Sequence, residues 1–122
     1  MVIEIDFNSD EAIYVQLRNQ IIIAIATSQI KEGDSLPSVR NLADDIGINM
    51  HTVNKAYATL KQEGFLRVDR RRGAVVAVDI DKLESMEKMK AYLRPVIARA
   101  HCKKITKEEA MKLVSEIYDE LE

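Results

Sequence analysis

Between positions 36 and 64 the chain reads LPSVRNLADDIGINMHTVNKAYATLKQEG, and the fold turns on how this stretch divides. Ser38 is placed to cap a short helix that ends at Ile46, with Val39, Leu42, Ala43 and Ile46 on its apolar stripe. Gly47 ends that helix, because glycine accepts the left-handed conformation that closes a helix without penalty. Asn49 then caps another helix over residues 50–63, whose Val53, Ala56, Tyr57 and Leu60 stand at i, i+3, i+4 and i+7. Gly64 closes it. Two short helices joined by a tight glycine-containing turn form a helix-turn-helix.

Downstream, Phe65-Leu-Arg-Val-Asp and Ala74-Val-Val-Ala-Val bracket Arg70-Arg-Arg-Gly73. Two β-rich runs around a tight glycine turn predict a hairpin, a wing with arginines at its tip. Upstream, Tyr14, Leu17, Ile21, Ala24 and Ile25 share one face of a helix expected over residues 10–28. Lys31-Glu-Gly-Asp34 makes a turn, and Pro37 holds Leu36 extended. Beyond residue 78 the pattern is helical throughout. Leu83, Met86, Met89, Leu93, Ile97 and Ala100 recur at three- and four-residue spacing, interrupted by Pro95, which should kink or divide that helix. A last helix starts at Thr106, with Glu109 completing a capping box and Ala110, Leu113, Val114, Ile117 and Leu121 as its stripe. The fold class expected is mainly α with a small β-hairpin. A winged helix-turn-helix domain spans residues 10–78, and a two-helix tail spans 79–122.

Composition narrows the function. The chain has 122 residues, 47% hydrophobic and 31% charged, which suits a folded domain with an appendage. One cysteine, Cys102, allows no internal disulfide and fits a reducing compartment. The acidic start does not resemble a signal peptide, and the apolar run from Ile21 to Ala26 is far short of a membrane span. A cytoplasmic protein with no membrane partner is expected. The net charge of −2 speaks mildly against nucleic acid, yet residues 49–73 carry six basic and two acidic side chains, a local +4.

That basic stretch holds the candidate site. The solvent face of the third helix presents His51, Thr52, Asn54, Lys55 and Thr59, with Asn49 at its start. Free N–H groups at a helix N-terminus suit a phosphate. Asn54 can pair with adenine N6 and N7, and Lys55 can reach guanine O6 and N7 or a phosphate. Arg70, Arg71 and Arg72 have no core to join at the hairpin tip and favour phosphate or minor-groove contact. A charged helix face or charge run on its own is more often simply solvated; the combination points to DNA. Catalysis lacks a nucleophile–base arrangement. His101-Cys102 lacks further ligands, since His51 is the only other histidine, so neither metal nor cofactor is expected.

From Leu36-Pro-Ser-Val-Arg-Asn-Leu-Ala43 through Thr52-Val-Asn-Lys-Ala-Tyr57, Leu60, Glu63-Gly64 and Arg72-Gly73, the sequence resembles the GntR family of bacterial regulators. Ile13-Tyr-Val-Gln-Leu17 and Gly33-Asp34 fit as well, so the likeness covers about residues 10–78. A short all-helical tail looks like the YtrA-type branch, in which the tail serves dimerisation and larger effector domains are absent. The resemblance implies that Arg40 anchors the second helix to the DNA backbone and groove edge; Ser38 is expected to fix the register with it. The resemblance further implies that Thr52 touches phosphate and that Gly73 meets the minor groove. Met50 and Asn54 stand where better-known relatives read guanine with arginine, and Ala74 replaces a usual wing threonine. Operator sequences therefore do not transfer.

A dimeric regulator, in this family most often a repressor, is the function expected, with double-stranded operator DNA as partner. No effector can be named. Leu83, Met86, Leu93, Ile97, Leu113, Val114 and Ile117 are the candidate dimer interface, because a domain of this size cannot cover two further apolar stripes. A winged helix used only to bind protein is the alternative; an uncharged wing and an apolar third-helix face would favour it, and this sequence has neither.

Overall fold

The computed structural model describes residues 1–122 and divides into two units, residues 1–79 and 80–122. In the first, α1 (Ile13–Ala26), α2 (Val39–Ile46) and α3 (Met50–Gln62) precede a hairpin of β1 (Leu66–Asp69) and β2 (Gly73–Val76). α1 and α2 both pack on α3, and α3 packs on β1. Leu17, Ile21, Val53 and Leu60 are fully buried at the centre, with Val76 almost so. This is the face that the helical spacing predicts. Gly47 takes φ 70° between α2 and α3, so the turn of the helix-turn-helix requires a residue without Cβ strain.

The hairpin is antiparallel, with Leu66 opposite Val76 and Asp69 opposite Gly73. Its strands are shorter than the sequence suggests, although Ala77 N–H still donates to Phe65 O at 3.0 Å. Residues 33–36 add a partial third strand: Gly33 N–H reaches Val76 O, Val76 N–H reaches Asp34 O and Leu36 N–H reaches Ala74 O, each at 2.8 Å. Asp79 belongs to this unit, its N–H donating to Gly64 O at 2.7 Å.

α1 runs Ile13–Ala26, starting three residues later and ending two earlier than the expected span of residues 10–28. Ser9 Oγ accepts from Glu11 N–H, and Gln16 Nε2 donates to the Glu11 carbonyl, so residues 9–11 form a turn instead of a helical one. Residues 1–8, outside the domain as read from sequence, lie against the core through Ile3 and Ile5. Two glutamines four apart on α1 hold them. Gln20 bonds both N–H and C=O of Glu4, and Gln16 does the same for Asp6 at 2.9 and 3.0 Å. Each side-chain amide thus acts as one rung of a β-ladder, which explains why Gln16 is buried within α1.

The second unit is α4 (Lys82–Cys102) and α5 (Lys107–Leu121). Of the kink or division expected at Pro95, the division does not occur: α4 is one continuous helix through it. The proline takes one N–H from the ladder and its ring crowds the carbonyl of Ala91, and that exposed carbonyl can turn to water. Thr106 and Glu109 form the expected capping box, Glu109 N–H donating to Thr106 Oγ1 at 3.1 Å and Thr106 N–H to Glu109 Oε1 at 2.9 Å. No residue of either helix is buried. No helix in the chain is long and apolar enough to cross a membrane.

Candidate nucleic-acid interface

α2 begins where Pro37 can give no hydrogen bond and Ser38 supplies one, its Oγ accepting from Asn41 N–H at 3.1 Å. Arg40, in the first turn, is exposed and has no ion pair. At the start of α3, Asn49 Oδ1 accepts from His51 N–H at 2.7 Å, so Asn49 is committed to capping and only its Nδ2 stays free. His51, Asn54 and Lys55 are exposed on α3, and Thr52 is half-buried.

Three separate elements meet at one cleft of about 440 Å³. Ser38 from the start of α2, Asn54 from α3 and Gly73 from the hairpin line it, together with Lys61 and Arg67. Sequence reasoning missed the last two. Lys61 stands seven residues after Asn54, which puts it on the same helical face, so periodicity could have found it. Arg67 pairs with Asp69 at 3.6 Å on the wing. Tyr57, read from sequence as core, is buried at the cleft wall, and its hydroxyl donates to Pro37 O at 2.8 Å. Burial pushes its phenol well above the usual range, so it remains a donor at any physiological pH.

A second cleft, about 420 Å³, collects His51, Thr52 and Lys55 with Ile13 and Tyr14 from the start of α1. Lys55 Nζ lies 4.1 Å from the centroid of the Tyr14 ring. This cation–π contact draws the ammonium toward α1. No local signal links residues so far apart in sequence.

At the wing tip Asp69 Oδ1 accepts from Arg71 N–H at 2.8 Å and Arg72 N–H at 3.1 Å. Those two backbone bonds hold its carboxyl below the usual aspartate range. Gly73 follows with φ 73° in open space, so backbone conformation and not crowding demands glycine there. Arg70 and Arg71 point free, whereas Arg72 Nη2 donates to Gly33 O at 2.5 Å. Arg72 is therefore partly engaged by the protein, which ties the tip to the turn before α2. A folded-state pKa below the unfolded one stabilises the tip above the ordinary carboxylate range, and this is lost as pH falls through the lowered value. The Arg71 and Arg72 amide resonances should accordingly titrate together, with a midpoint below the ~3.9 of an unperturbed aspartate. A midpoint at or above that value would remove Asp69 as the tip's organiser.

The candidate interface residues Leu83, Met86, Leu93, Ile97, Leu113, Val114 and Ile117 lie on the second unit and are all exposed in the single chain.

Comparison with known proteins bears on the family and the fold. The family model described as "Bacterial regulatory proteins, gntR family" matches residues 11–76. The HTH-type transcriptional repressor YtrA of Bacillus subtilis (strain 168) is 34% identical over 119 residues, 95% of this chain and 92% of that protein. Among solved structures, YtrA from Sulfolobus acidocaldarius, a GntR-family transcription factor, is 41% identical with a TM-score of 0.59, covering 97% of both chains. A transcriptional antiterminator from Listeria monocytogenes EGD-e is 26% identical with a TM-score of 0.89, covering 99% of this chain and 92% of that one. With its helix-turn-helix, charged wing and these relatives, the chain belongs to the GntR family: it is a DNA-binding transcriptional regulator with a winged helix-turn-helix fold, and not an enzyme.

Proposed function

We propose that the protein is a cytoplasmic repressor that occupies a palindromic operator as a homodimer, with α3 in the major groove and the wing at the neighbouring minor groove. The observation that carries this reading is the single cleft shared by Ser38, Asn54 and Gly73, since three elements distant in sequence converge there. The guanidinium groups of Arg40, Arg70 and Arg71 carry no protein partner and remain available to phosphates; a backbone contact positions the protein, and base contacts from α3 supply sequence. The repressor name of the Bacillus relative supports the direction of control. The unit of residues 1–79 serves DNA, and residues 80–122 serve dimerisation.

The second half of the proposal rests on the tail. Leu83, Met86, Leu113 and Ile117 are each more than half exposed, at 71%, 59%, 53% and 52%. An apolar surface of this extent favours a self-complementary contact, and two-fold symmetry would present two α3 helices to two half-sites.

A mobility-shift titration against DNA upstream of the protein's own gene tests binding, and its salt dependence tests the contacts. If about four to six phosphates are neutralised per dimer, log K should fall against log salt with a slope of about −4 to −5. This is expected despite the chain's net charge of −2. Affinity unchanged between low and physiological salt would contradict the roles given to Arg40 and the wing.

A further inference from the structure

The hydroxyl of Tyr57 has a duty that packing does not explain. Its ring fills the core beside Val53 and Leu60 and is 7% exposed, which a phenylalanine would satisfy equally. The hydroxyl instead donates at 2.8 Å to the carbonyl of Pro37, twenty residues earlier. Pro37 is the last residue before the cap of α2, and it has no N–H of its own. Leu36 N–H ties the preceding residue to Ala74 O on the hairpin, and the Pro37 carbonyl is the group through which the junction is held to α3. Tyr57 also stands one turn after Asn54 on α3, and Ser38, Asn54 and Tyr57 line the same cleft. One hydrogen bond therefore joins the start of α2, where Ser38 and Arg40 stand, to the face of α3 that carries Asn54.

From this the geometry points to Tyr57 as a positioning residue for operator recognition: its hydroxyl sets the spacing between the backbone-anchoring start of α2 and the base-facing side of α3. The inference rests on the DNA-binding reading above and adds to it a residue that touches no DNA. Non-specific binding tolerates a loose junction, because each phosphate contact forms separately. Operator binding requires both sets of contacts at once, so an error in their spacing is felt only there.

Tyr57→Phe in the full-length protein removes one oxygen and leaves the ring. The probes are a duplex enriched by the wild type from a random-sequence pool and a scrambled duplex of equal length. Tyr57→Phe should weaken binding to the enriched duplex about tenfold, with affinity for the scrambled duplex and the salt slope unchanged. Amide exchange in the first turn of α2 should quicken while the first turns of α3 keep their protection. Equal losses on both duplexes, or an unchanged ratio with unchanged exchange, overturn the positioning role and leave the DNA-binding reading standing. A wild type that enriches no sequence overturns that reading, and this inference with it.

Discussion

Leu113→Asp should convert the full-length protein from dimer to monomer and lower its affinity for a two-half-site operator by about 10²–10⁴-fold, the gain that linked binding supplies. Leu113 lies on α5, is 53% exposed in the single chain and supports nothing in the first unit's core. The substitution therefore acts on assembly and not on folding. Each apolar side chain buried between protomers contributes roughly 1.5–3 kcal/mol before association costs, so several are needed to exceed those costs. A carboxylate placed among them is strongly unfavourable. Truncation after Asp79 should have the same consequence by a different route. Every fully buried apolar residue lies between Leu17 and Val76, so residues 1–79 keep a complete core and should fold as a monomer that binds DNA weakly. Light scattering decides between these outcomes. A full-length monomer, or a stable dimer lacking the tail, removes the tail from the interface.

Replacing Arg40 and replacing Asn54 should produce losses of different character. Arg40→Ala should weaken binding to all sequences alike and make the salt slope shallower by about one for each phosphate that the arginine no longer neutralises. Asn54→Ala should cost about 1–3 kcal/mol per half-site on the operator and relax the preference at one position of each. Both side chains are exposed and neither supports the core, so stability should be nearly unchanged. Competition binding with single-base variants separates the two. Base preferences identical for Asn54→Ala and the wild type remove Asn54 as a reader.

Much of the first unit is legible in the sequence because its signals are local. Ser38 and Asn49 mark helix starts through side-chain bonds that reach no more than three residues, and Gly47 and Gly73 mark turns through their own positive φ. The clefts are legible only in outline. Asn54 and Lys55 are identifiable as exposed, but the Tyr14 ring beneath Lys55 and the Pro37 carbonyl beside Tyr57 come from remote parts of the chain. Residues 1–8 do carry a signal, since Ile3, Ile5 and Phe7 alternate with Glu4 and Asp6 as in a half-buried strand, but the run is short and what holds it, Gln16 and Gln20, looks like ordinary polar positions on a helix. Pro95 leaves two outcomes open in the sequence, a kink or a division, and the continuous α4 rules out the division alone.

Sequencing the duplexes that the full-length protein retains from a random pool bears most directly on its function. The expected result is an inverted repeat whose half-sites lie about one helical turn, or a multiple of it, apart, as two symmetry-related α3 helices require. Enrichment of a single unrepeated site, or of no sequence at low salt, would contradict recognition of operator DNA by a two-fold dimer.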